Sequence, residues 1–494
     1  MKKGVRIFST IICVISFIAL VVFLYYLEKL GVLPSKYLYL ICGVLTFLEL
    51  IFIISLMIKK TKSWILILFD IIAFLIIVVE IFASIKLKQA NDFIEDDLII
   101  KETKDIYYIM VNKDSKYTDL KSIENKFVDY FNDIDDFNKL KDNVSQKVNV
   151  ILNEVSDYSS LLPSIEKDKE KIILVSDSNY DLYLSSLKED EGDSTEPNDD
   201  ETGTSSEHES NFRILDTIEL TNVIEANTST EDIMKKPFTI YLSGIDSRSG
   251  KLPSRSRSDV NIFIVVNPKT RDILLVSTPR DYYVQLHGIK GQKDKLTHAG
   301  YVGGVKLSKA TLEDLLGYEA NYYVRVNFDA VVRLVDALGG ITVYSDVNYD
   351  ITRAECTFKP GYNNLDGACA LRFARERYAY KGGDRHRGKN QQQIIQRVIE
   401  KVSSSKTLVM HYDDILKAMK GTFETSLSTK NITSIVQFQL NDMRGWNITT
   451  ANLDGPTGMT STYTCPNCKR SVMYQNKKSI DAAKAKIKAV LEKE

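Results

Sequence analysis

The sequence lacks several features that would fix a function at once. It has no excess charge of one sign: 64 Lys and Arg stand against 65 Asp and Glu, a net of −1, so nothing points to nucleic acid as the main partner. No recognition-helix signature offsets that balance. Histidine is scarce, and the five residues at 208, 287, 298, 386 and 411 form no ligand-like cluster with the CxxC of TYTCPNCKR. Structural zinc on that motif therefore lacks its further ligands. The first apolar run has no clear small-residue cleavage site after it, which argues against a removed leader. Residues 90–187 carry no catalytic constellation.

What is abundant is apolar sequence at the N-terminus. Residues 7–27, 37–58 and 64–85 are nearly continuous apolar runs, each long enough to cross about 30 Å of hydrocarbon as a helix. Lys2, Lys3 and Arg6 precede the first run, and Lys59, Lys60 and Lys62 fill the turn before the third. Positive flanks favour the cytoplasmic side, so the N-terminus is expected inside and everything after residue 86 outside. Glu49, Asp70 and Glu80 lie in or near the spans, where contacts between helices explain them more simply than ion conduction.

Residues 1–88 are thus expected to be a membrane domain. Residues 89–225 read as a small α/β accessory domain, with strands in DIYYIMV and KIILVS and a helix over LKSIENKFVDYF. They include the acidic stretch 189–210, a linker or loop with ten acids and no lysine or arginine. Residues 226–494 form the larger domain. FTIYLSG, VNIFIVVN and DILLVSTP have strand character; KLSKATLEDLLG, NFDAVVRLVDALGG and QQQIIQRVIEKV have helical periodicity. Their interleaving predicts an α/β domain layered α-β-α. Later helical segments and the CxxC loop complete that domain. Cys13 and Cys42 fall in the spans as small apolar fillers. Outside the cell, Cys356 with Cys369 and Cys465 with Cys468 are possible disulfides.

Charge gathers at the strand ends of this domain. GIDSRSG puts Asp246 and Arg248 beyond one strand, SRSD puts Arg257 and Asp259 before the next, and TPRD puts Arg280 and Asp281 after the third. Residues just beyond sheet ends converge on a crevice, so three separated groups can become one site. Asp246 and Asp259 are the candidates for holding a divalent cation, although loop caps or surface acids would use the same residues. ALRFARERYAYKGGDRHRGKNQQQII adds Arg372, Arg375, Arg377, Asp384, Arg385, Arg387 and Gln391. Several guanidinium forks can hold a pyrophosphate and stabilise charge developing on it.

Taken in order, YLSGIDSRSG, SRSDVNIFIVVNP, LLVSTPRDYYVQL, the glycines at 303 and 304, VNFDAVVRLVDALGGI and LDGACALRFARERYAYKGGDRHRGKNQQQII resemble the LytR-CpsA-Psr family, especially its streptococcal capsule-associated members. The resemblance covers about residues 238–400. It implies a Gram-positive phosphotransferase at the outer membrane surface. Such an enzyme moves capsular polysaccharide, or a related anionic glycopolymer, from an undecaprenyl-pyrophosphate carrier to peptidoglycan through a phosphodiester. The cofactor it implies is Mg2+, with Mn2+ as an alternative.

Residue by residue, the resemblance implies metal-associated roles for Asp246 and Asp259, with Arg257 in the same element. It implies pyrophosphate-binding roles for Arg280, Arg375 and Arg377, joined by Asp384, Arg387 and Gln391. Asn390 stands where many members have arginine, which bears on headgroup preference. NFDAVVRLVDALGG is a candidate lining for a prenyl groove as well as core. Arg248, Arg255, Arg372 and Arg385 read equally well as surface salt bridges. Two rivals use the same arginines: a lipid-pyrophosphate-binding regulator or assembly factor without transferase activity, and a pyrophosphatase. Capsule export or assembly proteins are possible partners.

Overall fold

The computed structural model describes residues 2–58, 61–92, 102–131, 137–155, 160–190, 211–223, 232–245, 252–351, 356–376, 378–380, 383–403, 412–419 and 423–494. The N-terminal runs form α1 (Lys2–Leu30), α2 (Ser35–Met57) and α3 (Ser63–Asp92). All three are long and apolar enough to cross a membrane. Their polar residues turn toward one another. Ser9 donates to Asp70 at 2.8 Å and Ser16 to Glu49 at 2.8 Å, while Glu80 is buried in the bundle. The expected contacts between helices account for the first two acids.

The next body is built on a five-stranded sheet. Its strands are β1 (Glu102–Asn112), β2 (Phe127–Phe131), β3 (Ile151–Val155), β4 (Ile172–Ser176) and β5 (Phe212–Val223), in the order β3-β2-β4-β1-β5. Helices α4 (Phe137–Lys147), α5 (Leu161–Lys167) and α6 (Asp177–Asp190) cover it. LKSIENKFVDYF is not the expected helix. A single 3-10 turn, Lys121–Ile123, is followed by Asn125 in the left-handed region (φ +58°), after which FVDYF pairs as β2. The aromatic and β-branched residues of that pentapeptide fit a pleated, half-buried surface, and pairing on both sides overrides the helical spacing.

The larger body begins with β6 (Phe238–Ile245), β7 (Ser258–Asn267) and β8 (Asp272–Thr278), then the two-residue strands β9 (Tyr283–Val284) and β10 (Asp294–Lys295). Helix α7 (Leu296–Leu316), β11 (Tyr322–Asn327) and α8 (Phe328–Ala337) follow. Four short strands, β12 (Ile341–Ser345), β13 (Tyr349–Ile351), β14 (Cys356–Phe358) and β15 (Gly361–Leu365), lead to α9 (Gly367–Arg375) and α10 (Asp384–Val402). The chain ends through α11 (Tyr412–Met419), β16 (Phe423–Thr425), α12 (Thr429–Asp442), β17 (Asn447–Asn452), β18 (Thr457–Thr462), β19 (Cys465–Met473) and α13 (Lys477–Leu491).

Its main sheet runs β16-β11-β6-β7-β8-β17, with β6, β8, β11 and β17 pointing one way. The alternation of β7 explains the layering. Phe263 and Val265 face Leu312, Leu316, Ile480 and Ile487 of α7 and α13, while Ile262, Ile264 and Val266 face a second cluster that includes Ile395, Ile399 and Phe438 of α10 and α12. Both faces are covered, so the strand reads as a continuous apolar run. This is the expected α-β-α arrangement.

Helix α7 is longer than its periodicity suggests. It starts ten residues before KLSKATLEDLLG and kinks at Gly303 and Gly304, the latter at φ +63°. A Cβ on Gly300 would lie 2.2 Å from the Ser256 carbonyl oxygen, and one on Gly304 would lie 2.9 Å from that of Ser254. The glycines let the helix lie directly on the 254–258 loop, in a register that apolar spacing alone does not reveal.

A buried ion pair braces this sheet, and two disulfides add local links in the same body. Arg325 on β11 bonds Glu424 on β16 at 3.0 Å and Ser256 at 2.9 Å, with both charged side chains almost wholly buried. Disulfides join Cys356 to Cys369, linking β14 to α9, and Cys465 to Cys468 at the start of β19. The membrane bundle touches the same body. Gln437 on α12 donates to the Gly31 carbonyl and Lys36 to that of Asn441, so α12 rests on the turn between α1 and α2. Removing one partner of a buried ion pair leaves an uncompensated charge, so Glu424→Ala is expected to cost about 3–5 kcal/mol in denaturant unfolding.

Candidate active site

Antiparallel pairing of β7 between β6 and β8 places its first residues beside the last residues of both neighbours. Arg257 and Asp259 at the start of β7 therefore meet Arg280 just beyond β8. Arg280 Nη1 donates to Asp259 Oδ1 at 3.1 Å, and the Thr297 hydroxyl on α7 adds a longer bond to the same oxygen at 3.4 Å. Asp281, the next residue, takes Lys295 Nζ at 3.3 Å, with Arg280 Nε at 3.8 Å. Two of the pairs seen in the sequence at separate strand ends, Arg257 with Asp259 and Arg280 with Asp281, are one cluster.

The α9–α10 segment comes to the same edge. Arg387, buried in the first turn of α10, acts electrostatically on both Asp259 and Asp281. A Cβ on the adjacent Gly388 would lie 3.4 Å from Ser277 Oγ and 3.9 Å from Asn452 Oδ1, which sets the N-terminus of α10 over the ends of β8 and β17. Backbone N–H groups at a helix start add positive potential there. Arg375, the last residue of α9, holds its guanidinium 4.6 Å from the ring centre of Phe328, directly after β11. Gln391 lies one turn further along α10 than Arg387.

Electrostatics follows from this packing. Burial raises a carboxyl pKa and is the largest single influence on Asp259, yet Arg280, Arg257 and Arg387, with the bond from Arg280, outweigh it together and hold the group at about 2. Asp281 is lowered in the same way, burial opposing it and Lys295, Arg280 and Arg387 prevailing. Arg257, Arg280, Lys295, Arg375 and Arg387 thus gather with Asp259 and Asp281 at this edge, and Asp177 and Asp181 of α6 come near enough to act on Tyr301 along with Arg257 and Asp259. Such a gathering of cations suits a pyrophosphate, and Asp259, held at about 2, is a weak base at neutral pH.

Several expected residues sit elsewhere. Asp246, Arg248 and Arg377 lie outside the described residues, and Asp384 opens α10 with its side chain also outside them. Arg255 is not on the surface: it is buried and donates to the Val302 carbonyl at 2.7 Å. Arg385 donates to the Gly455 carbonyl at 2.7 Å rather than to an acid. Asn390 is buried, 1% exposed, and donates to the Phe373 carbonyl at 3.0 Å. It fastens α10 to α9, so its amide bears on helix packing and not directly on a headgroup. Val335 and Leu338 of NFDAVVRLVDALGG are buried, and Val335 belongs to the cluster around Phe358 and Phe373.

Lys295 and Thr297 escaped the sequence reading because DKLTH carries no arginine and lies outside the two arginine-rich segments. Only the hairpin of β9 with β10 brings it beside Asp281.

A cluster of cations and carboxylates at the sheet edge of a three-layer α/β body, joined to three helices long and apolar enough to cross a membrane, defines the architectural class. The chain belongs to the LytR-CpsA-Psr family: residues 203–487 match the sequence model of the LytR_cpsA_psr family. It is 36% identical over 201 residues to the Enterococcus faecalis polyisoprenyl-teichoic acid–peptidoglycan teichoic acid transferase TagU, covering 41% of this chain and 65% of that protein. It is 34% identical over 212 residues to the Streptococcus mutans biofilm regulatory protein A, covering 40% of this chain and 52% of that one. Less than two thirds of either relative is spanned. A Streptococcus agalactiae protein of known crystal structure shares 28% identity and a TM-score of 0.45, with 54% of this chain and 92% of that one covered.

A depressed carboxyl stabilises the fold above its ordinary pKa and loses that contribution as the pH falls through the folded value. Asp259 therefore contributes stability above about pH 3.8 that disappears toward pH 2. Asp259→Asn is expected to flatten the loss of unfolding free energy between those limits by up to one proton's worth, measured by denaturant titration at a series of pH values.

Proposed function

We propose that this protein transfers a glycan phosphate from a polyprenyl-pyrophosphate carrier to peptidoglycan, with capsular polysaccharide as the cargo and undecaprenyl as the carrier. The observation that carries the reading is the Asp259–Arg280 pair, set among Arg257, Arg387 and Lys295 at the sheet edge. An acceptor hydroxyl attacks the phosphorus bearing the glycan. The bond from that phosphorus to the bridging oxygen breaks, polyprenyl phosphate leaves with the electron pair, and the acceptor's proton passes to the departing phosphate. Arg280, Arg387 and Arg375 stabilise the equatorial and leaving oxygens, with Arg377, Asp384 and Gln391 completing the headgroup site. The similarity to TagU supports the reaction class.

A divalent cation, Mg2+ or Mn2+, belongs to the proposal. Among the described residues no group of three or more potential ligands is assembled. Asp259 nonetheless fits as a first ligand, because it is ionised at every physiological pH and both of its described bonds fall on Oδ1. Asp246 would be the second, with phosphate oxygens supplying the rest. Such an ion neutralises phosphate charge when bound.

The body is proposed to face outward. It rests on the turn between α1 and α2, on the opposite side from the lysines of the turn between α2 and α3, which favour the cytoplasm. That placement brings the site to the surface where carrier lipids and wall acceptors meet.

The test is transfer of a labelled lipid-pyrophosphate glycan to peptidoglycan by the full chain in lipid nanodiscs, with Mg2+ present or chelated. Asp259→Asn and Arg375→Ala are each expected to lower the rate about 100-fold, and chelation to abolish transfer. Carrier binding without transfer to any wall acceptor would move the reading to a regulator or assembly factor. Release of free glycan phosphate would make it a pyrophosphatase.

A further inference from the structure

A second polar centre lies behind the phosphate edge, and the reaction as drawn does not use it. Asp294 is completely buried. Its Oδ1 accepts from His298 Nδ1 at 2.7 Å and from the Lys295 backbone N–H at 2.7 Å, and its Oδ2 accepts from the Thr464 backbone N–H at 2.8 Å. The Thr464 hydroxyl lies 2.9 Å from the same imidazole nitrogen. Thr464 belongs to the turn between β18 and β19, so the centre joins the C-terminal hairpin to the start of α7.

Everything between this centre and the phosphate edge is stitched. Lys295 and Thr297, on either side of Leu296, are the residues that reach Asp281 and Asp259. Thr297 N–H donates to the Arg280 carbonyl and Leu296 N–H to that of Tyr282, each at 2.9 Å. The hairpin adds its own ties: Tyr463 N–H to the Lys293 carbonyl at 3.0 Å and Met473 N–H to that of Asp281 at 2.8 Å. Burying an Asp–His pair is a weak way to gain stability, because desolvation opposes the attraction. What the pair fixes well is direction, since each carboxylate oxygen is committed to a donor on a different element.

Building on the proposed transfer reaction, we propose that Asp294 and His298 are positioning residues. They anchor the β18–β19 hairpin to the start of α7, so that Lys295 and Thr297 hold Asp281 and the Asp259–Arg280 pair in register with the phosphates. Neither residue touches the reacting atoms. The hairpin, remote in sequence from the arginine motifs, is on this account a working part of the site.

The experiment uses the full chain in nanodiscs with His298→Ala, His298→Asn and Thr464→Val, measuring kcat, KM for the lipid-linked donor, and Tm. An asparagine amide N–H can stand where Nδ1–H stands, so it tests the bond and not the ring. His298→Ala is expected to lower kcat about 10- to 100-fold, the range a small misplacement produces, with KM changed less than about threefold. His298→Asn should restore most of kcat, and Thr464→Val should show a smaller kcat loss with the same split. His298→Ala combined with Thr297→Val should be non-additive in kcat, as expected of residues acting through one contact. If alanine prevents folding, the asparagine and Thr464 variants carry the test through the same split.

Wild-type kcat in His298→Ala and Thr464→Val would overturn the inference, as would losses that follow Tm and are not relieved by asparagine. A wild type that transfers nothing would defeat the transfer reading and this inference with it. A wild type that transfers no better than His298→Ala defeats this inference alone.

Discussion

The contact between Arg280 and Asp259 is the constraint around which the larger body is arranged. Two apolar strands, β7 and β8, are buried on both faces, and the antiparallel turn between them returns the end of one to the start of the other. Whatever charge the sequence places at those ends is brought together where the sheet stops and the covering layers part. An arginine and an aspartate there satisfy each other without leaving the edge. Further arginines then hold the carboxyl ionised against the cost of its burial. The pair is thus part of the fold's polar closure and, under the proposed function, also the seed of a phosphate site.

Support for that edge comes from three directions. Arg325 ties Ser256 in the preceding loop to Glu424 on the outer strand β16. Gly300 and Gly304 let α7 lie on the 254–258 backbone from above. On the far side, Gln392 of α10 donates to the carbonyls of Leu275 and Ala451, at 2.9 and 2.8 Å, and so fixes the helix that carries Arg387 across β8 and β17. The glutamine run illustrates a division of labour within one motif. Gln392 and Gln393 are spent on backbone contacts with the sheet and with Tyr344, while Gln391 lies on the turn that follows Arg387.

Geometry also assigns the membrane bundle a second role. Its turn between α1 and α2 meets α12, and Leu30 at the end of α1 packs near Phe423 of β16. Strand β16 carries Glu424, so the chain of buried contacts runs from the membrane edge through the Glu424–Arg325 pair to the loop that holds Arg257. Under the proposed function, this ties the height of the phosphate edge to the bilayer in which the carrier lipid is dissolved.

The sequence by itself determined the three apolar helices, the three inner strands β6, β7 and β8 of the central sheet, the layering of the large body and the arginines and aspartates gathered at its strand ends. These are local or periodic properties: an apolar run of membrane length, a strand buried on two faces, an arginine repeated at strand and helix ends. Tertiary structure alone decided the rest. Pairing made FVDYF a strand despite its helical spacing, close packing buried Asn390 against Phe373, and the β9–β10 hairpin brought Lys295 to Asp281. The Asp294–His298–Thr464 centre joins residues 166 to 170 positions apart. The physical reason is common to these cases: each depends on which surfaces are buried against one another, and no periodicity within a single segment encodes that.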